Sequence, residues 1–324
     1  FGMEQGFATV DLEASDSNLE VRRAGPTTDA ALQWLDEHSE KPFFLFVHYF
    51  DPHLVYDPPQ PFRERFADPR DREVGSGPLF GTRQEMIAFR EGQIVLEPSL
   101  VRRLEKLYNG EVAYVDSEVG RLLAGISARG LDENTIVVIT SDHGEEFLDH
   151  GGFEHGHTLY DELLHVPLIV RVPSLPEGTA PSAGSVPTTV RQIDLAPTLC
   201  ELAGLPEVAA FEGESLVPLL WGREGRERPV LIQGNMWGPS GEAWRNAGAK
   251  LIRRGALGGI ELYDIQADPG EQHDLAGQAI ELRERLSAEL DLVLESFAAG
   301  AMGGEAPALD AEQLQRLQSL GYMR

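Results

Sequence analysis

Thr135-Ile136-Val137-Val138-Ile139-Thr140-Ser141-Asp142-His143-Gly144-Glu145-Glu146 is the stretch on which the fold turns. Its first six residues are mostly β-branched and read as a buried strand, which empties abruptly into a polar loop. The same form recurs on both sides. Pro42-Phe43-Phe44-Leu45-Phe46-Val47 is apolar on both faces, as a strand buried between layers requires, and it discharges into Asp51-Pro52-His53, where proline forbids a central strand. Pro167–Val172 is a third run of this kind. Helical spacing fills the intervals: Ala31, Leu32, Trp34 and Leu35 follow Thr27-Thr28-Asp29, whose side chains suit an N-cap, in a helix ending near His38. Ser99 caps a long segment in which Leu100, Leu104, Leu107, Val112, Val115, Val119 and Leu122 recur, ending before Gly130. Strands alternating with helices predict an α/β fold with a central, mostly parallel sheet flanked by helices, whose ligands gather beyond the carboxyl ends of the strands. Both polar loops leave such ends.

Composition narrows the function. The 324 residues carry 27 Lys+Arg against 53 Asp+Glu, a formal net charge of −26, which excludes a nucleic-acid binder resting on a general basic field. The lone Cys200 excludes an intrachain disulfide and a zinc ribbon, so any metal is held by Asp, Glu and His. The longest apolar stretch, near Phe43–Val47, is far short of the roughly 20 residues of a membrane span. Residues 1–225 read as one large α/β core, with Asp194 capping a short helix closed by Gly204 and an irregular excursion over Pro61–Glu97. The charged break Arg223–Arg228 is the best internal boundary. Beyond it, short strands at Pro229–Gln233, Ala243–Asn246, Lys250–Arg253 and Ile260–Ile265 and a helix at Ile280–Phe297 predict a small antiparallel α+β subdomain over 226–297. Residues 298–324 read as a linker and a last helix at Asp310–Leu320.

Five of the nine histidines, His143, His150, His155, His157 and His165, fall between positions 143 and 165. Asp142 and His143 stand side by side where a strand ends, so a carboxylate and an imidazole converge as half of a divalent-metal site; the plain alternative is that Asp142 caps the following turn and His143 is surface. His53 leaves another strand at the same expected edge, and His155-Gly156-His157 follows closely enough to fold back over the loop. Imidazoles beside a cation bind an oxyanion or protonate a leaving oxygen. His150 and His165 read equally well as structural, and Glu145 and Glu146 as carboxylates at a helix start.

Ile139–Glu146, then Asp149-His150-Gly151, His157-Thr158-Leu159-Tyr160-Asp161-Glu162 and Val166–Val170, resembles the second half of the sulfatases of the alkaline phosphatase superfamily. Phe43–Pro59, Tyr114–Gly120, Asp194–Pro206, Gly213–Leu216, Leu262–Asp264 and Asp268–Glu271 are similar to the family in the same order, so the likeness covers nearly the whole chain. The resemblance implies an alkaline phosphatase-like fold and a metal-dependent hydrolase of sulfate monoesters, acting on a small-molecule or glycan sulfate ester. It implies one divalent ion, calcium above magnesium or manganese, with Asp142 and His143 among its ligands. It also implies catalytic contacts for His53, His155 and His157 with the sulfate or the leaving group. His155 stands where many members carry a lysine.

Two family features are missing. No Cys or Ser here is followed by x-Pro-x-Arg, the motif that yields the formylglycine nucleophile, and the family's upstream pair of metal-binding aspartates is absent. The resemblance therefore implies that this is the carboxyl-terminal portion of a longer protein, lacking the nucleophile region and inactive alone. Cys200, in an apolar helix face, reads as a packed thiol. Two alternatives remain: a phosphodiester or phosphonate monoester hydrolase of the same superfamily, and a non-catalytic relative that binds an anionic ligand. The global charge decides neither, because surface charges fade over about 8 Å at physiological salt while a metal and imidazoles act at contact.

Overall fold

The residue that opens the first helix, Ala24, donates its amide to a carboxylate 27 positions downstream. In the computed structural model, which describes residues 5–12, 21–72, 79–173, 184–223, 227–234, 236, 240–246, 248–255 and 258–300, α1 runs Ala24–His38. It starts earlier than the Thr27-Thr28-Asp29 cap predicts. Its first amides are met from outside the helix, Ala24 by Asp51 Oδ2 at 2.7 Å and Gly25 by the Tyr114 hydroxyl at 2.7 Å. With those donors satisfied, Pro26 sits in the first turn without loss and Thr28, buried, donates to Ala24 O instead of capping. Short α2, Phe62–Phe66, and α3, Arg83–Arg90, follow, the latter opened by a Thr82/Glu85 capping box. The long helix α4, Pro98–Ala128, has Glu97 as its N-cap and Pro98 at its first position, so Ser99 lies inside it. Both α1 and α2 pack on α4, whose Val101, Leu104 and Leu107 are buried.

Phe43–Val47 departs from its prediction. The segment is extended but belongs to no strand, and exposure alternates along it: Phe44 is 64% and Phe46 58% exposed, while Phe43, Leu45 and Val47 are half-buried. A ribbon covered on one side alternates in this way, whereas the sequence reads as one covered on both.

Two compact units divide between Glu133 and Asn134. In the second, β1, Val137–Thr140, pairs antiparallel with β4, Leu168–Arg171, so the mostly parallel central sheet expected from the sequence is replaced, among the described residues, by small antiparallel ones. Two-residue strands β2, Glu146–Phe147, and β3, Phe153–Glu154, form a hairpin, and one turn of helix, α5, covers Asp161–Leu164. Helices α6, Leu195–Leu202, and α7, Val217–Leu220, come next. Asp194, buried at the start of α6, does not cap it; its carboxylate takes the Arg191 amide and guanidinium and the Glu214 amide.

The four late runs form one antiparallel sheet in sequence order: β5 Val230–Gln233, β6 Gly241–Asn246, β7 Ala249–Arg254 and β8 Ile260–Asp264. Period-two alternation gives it two buried faces. Trp244, Leu251 and Leu262 lie in register and are covered by Leu286 and Leu290 of α8, Ile280–Gly300. Ala243, Ile252 and Tyr263 face the other way, onto Leu159 and Tyr160. The rest of the linker after residue 300 and the helix expected at 310–320 lie outside the described residues, as do 224–226 of the charged break.

Lys250, in register with Arg245 and Tyr263 on that second face, is fully buried. Its Nζ lies 2.8 Å from Asp161 Oδ1 and 2.9 Å from Glu271 Oε1, the second an ion pair whose alignment falls short of a hydrogen bond. Glu271 Oε2 in turn accepts the Asp161 amide at 2.6 Å, and Arg245 takes the other Asp161 oxygen at 2.8 Å. Burial pulls the Asp161 carboxyl up, but the Lys250 ammonium and Arg245 outweigh it and hold it below its ordinary value. Removing the cation strands the buried Glu271 carboxyl and leaves the half-buried Asp161 with Arg245 alone. Lys250→Met should therefore lose about 3–5 kcal/mol of stability, seen as a drop in the urea midpoint. An unchanged midpoint would show that the cluster does not hold the sheet to this segment.

Candidate active site

Gly144 fixes the loop after β1. A Cβ there would sit 2.0 Å from the Glu162 carbonyl oxygen, and its amide donates to Leu163 O at 2.8 Å, so only a residue without a side chain allows the loop to lie against α5. The close approach turns Asp142 and His143 outward. Asp142 Oδ1 accepts the His143 amide at 3.0 Å, and its side chain is 71% exposed. His143 Nδ1 lies 2.8 Å from Gly144 O; a carbonyl only accepts, so Nδ1 carries the proton and Nε2 keeps the lone pair. That lone pair lies 3.7 Å from Asp142 Oδ2. The carboxylate and the imidazole nitrogen thus share one side of the loop, as two ligands of a cation must.

His155 lies flat on His143, ring centroids 3.9 Å apart at 26°. It is buried, and its Nδ1 is 2.8 Å from the equally buried Glu145 Oε1. Burial lowers the affinity of the ring for a proton, yet Glu145, with Glu154 and Asp142 adding negative charge, prevails and leaves the His155 pKa raised. His157 turns elsewhere: its Nε2 is 2.7 Å from Oε2 of the fully buried Glu146. Glu146 also accepts the amides of His150 at 2.9 Å and Gly152 at 2.6 Å on its other oxygen, tying off the β2–β3 hairpin. Here too a glycine is demanded, since a Cβ on Gly152 would stand 2.0 Å from His157 Nε2. His53, in the first unit, has its Nδ1 2.6 Å from Leu54 O, so its Nε2 likewise keeps the lone pair, and the ring lies 4.4 Å from Phe50.

Asp142, His143 and His155 are therefore gathered at one place, while His157 pairs separately with Glu146. Glu145 and Glu146 are not helix-start carboxylates. They lie on a hairpin whose register pairs Glu146 with Glu154, and this sets each beside an imidazole ten or eleven positions on. The signal that would have found them is Phe147 and Phe153 flanking a turn that ends in Gly151-Gly152. Among the described residues no group of three or more His, Cys, Asp or Glu is arranged to hold a metal, and Asp142 and His143 present two donor atoms on one side of the loop. Their chemistry, one carboxylate oxygen and one neutral imidazole, fits a divalent cation.

The sulfatase family model matches residues 24–205, more than half of the chain, and the chain belongs to that family. It is 30% identical over 257 residues to a choline-sulfatase of Rhizobium meliloti (strain 1021), a match covering 74% of this chain and 48% of the relative. It spans about half the length of the curated relatives it matches. Solved structures share the fold: a protein in complex with its substrate D-glucosamine-2-N,6-O-disulfate (TM-score 0.65, 22% identity, 86% of this chain and 70% of the other), and the phosphonate monoester hydrolase of Agrobacterium radiobacter (TM-score 0.66, 23%, 89% and 63%). No helix among the described residues is long and apolar enough to cross a membrane.

His150 gives the site a pH signature. Its Nδ1 is 2.7 Å from Glu162 Oε1, its Nε2 3.0 Å from Glu271 O, and its ring stacks 3.5 Å from Tyr160. Burial works against the charged ring, but two acceptors at two nitrogens win and the pKa is raised. A raised folded pKa adds stability that is complete below the unfolded value near 6.5 and disappears as pH climbs through the folded value. The stability difference between wild type and His150→Gln should be larger at pH 6 than at pH 9 in urea unfolding; a gap that widens toward pH 9 would contradict the assigned protonation.

Proposed function

We propose that the protein is a sulfuric ester hydrolase of alkaline phosphatase-like architecture that acts on sulfate monoesters of small molecules or glycans with one divalent ion, calcium in the first place and magnesium or manganese as substitutes. The observation that carries it is the orientation of His143: its Nδ1 lies on Gly144 O as a donor, which turns Nε2 to within 3.7 Å of the Asp142 carboxylate, where both could meet a cation. When bound, the ion would polarise the sulfate oxygens and steady the charge that develops on them. The side chains do the rest. Asp142 and His143 would hold the ion. His155, whose affinity for a proton Glu145 raises, would offer positive charge when protonated, where many relatives carry a lysine. His157 is held by Glu146 at the back of the same hairpin and would set its height. His53 would present its Nε2 to the sulfate or to the leaving oxygen, acting as general acid only once that nitrogen also takes up a proton.

A second reading, hydrolysis of phosphonate monoesters or phosphodiesters, is favoured by the fold shared with the phosphonate monoester hydrolase. Sulfate monoesters, phosphodiesters and phosphonate monoesters all carry a single negative charge, so charge does not separate the readings, and the ratio of turnover on an aryl sulfate, an aryl phosphate diester and an aryl phosphonate ranks the two. For the full-length gene product, Asp142→Ala should lower kcat/KM on the preferred ester about a hundredfold or more. A chelator should silence the wild type, and added calcium should restore it. Full turnover by the variant would refute the metal assignment.

A further inference from the structure

Glu111 is a carboxyl group where the helical pattern of α4 calls for an apolar residue. It is 2% exposed, between Leu107 and Tyr114 on the face that meets the Asp51–Pro58 turn. Its Oε1 accepts the Asp57 amide at 2.8 Å, and the His53 amide faces the same carboxyl. Arg23 stands 3.4 Å from that oxygen while its Nε holds Asp51 Oδ1 at 3.2 Å, so the other end of the turn is joined to the same cluster. The turn is packed as well as tethered: Tyr56 is fully buried, edge-on to Tyr108 of α4 at 5.5 Å, and a Cβ on Gly110 would meet the Pro58 ring at 2.9 Å. Asp57, whose amide Glu111 takes, has its own carboxylate held by Arg63. The second Glu111 oxygen, Oε2, is buried without a hydrogen-bond partner among the described residues. Isolated in this way, a carboxyl costs more than a methionine or leucine of similar volume, so packing alone does not explain it.

We propose that Glu111 is a positioning residue for His53: from α4 its buried carboxyl anchors the amides of the Asp51–Asp57 turn and thereby fixes where the His53 imidazole is presented. This rests on the reading that His53 meets the ester. The turn carries Pro52, is followed by Pro58 and has no ladder to hold it, so an acceptor from the helix beneath supplies the fixed point that a strand would otherwise provide. Burial and the Asp51 charge push the Glu111 pKa up to about 8, so at neutral pH the group is mostly the uncharged acid. Glutamine is a close isostere of that form and keeps the acceptor oxygen. Methionine keeps the volume and removes it.

The test follows the nine histidines by 13C-edited NMR on the 324-residue chain, with the His53 cross-peak assigned through His53→Gln, and follows turnover of the preferred aryl ester in the full-length protein. Glu111→Gln should leave the His53 cross-peak in place and kcat within about threefold, whereas Glu111→Met should move that cross-peak, leave the other histidines unshifted and lower kcat about a hundredfold with KM little changed, the size expected when a reacting group is misplaced by about 1 Å. A folded Glu111→Met protein whose His53 cross-peak does not move overturns the proposal, and so does equal damage by glutamine and methionine. If Glu111→Met does not fold, Glu111→Asp, which withdraws the oxygen by one methylene, decides on the same cross-peak: a shift supports the anchor and none removes it. Wild-type protein without turnover on any of the three esters would sink the hydrolase reading alone, because the cross-peak still reports on the anchor.

Discussion

One ammonium group without water around it constrains most of the second unit. Lys250 comes from the middle of a four-stranded sheet, Asp161 from the start of α5, and Glu271 from the turn after β8. A buried cation tolerates little freedom in its partners, since each ångström of separation in a poorly solvated place weakens the compensation for lost hydration. The sheet therefore fixes α5, and α5 fixes the loop against which Gly144 is pressed. The same Glu271 lends its carbonyl to His150. Geometry at Asp142 and His143 is in this sense inherited from a lysine some hundred residues further along the chain.

Carboxylates recur as the holders of imidazoles. Glu145 holds His155, Glu146 holds His157 and Glu162 holds His150. Each pair sets a tautomer or a charge and a ring orientation, which a histidine on a mobile rotamer lacks. His143, like His53, is held differently. It is oriented by a backbone carbonyl, which directs the proton to Nδ1 but adds no negative charge, and so leaves the outer nitrogen free to act as a ligand.

Helices and the late sheet were legible from spacing. Leu100 through Leu123 repeats at helical intervals, and α4 follows it for its full length; Trp244, Leu251 and Leu262 alternate with Ala243, Ile252 and Tyr263, and the two faces bury them separately. Asp142, His143 and His155 stood out because rare residue types cluster. Glu145 and Glu146 did not, since two acids after a strand are common at helix starts and their partners become neighbours only once the hairpin register is known. Glu111 was hidden for another reason. An acid within a helical repeat reads as solvent-facing, and only the packed turn above α4 shows that it is inside. Phe43–Val47 misled in the opposite direction: five apolar residues in a row state that a ribbon is greasy, not how many layers cover it.

That ribbon has a practical side. Phe44 and Phe46 project two phenyl rings to the outside from an extended backbone whose amides and carbonyls belong to no sheet in the described structure. A bare edge with aromatic side chains is a template for further strands, and chains at high concentration find one another through such edges. The strongly negative surface works against that encounter at low salt and is neutralised by added electrolyte. Colloidal behaviour of this protein should consequently be governed by ionic strength, with turbidity arriving first in concentrated electrolyte.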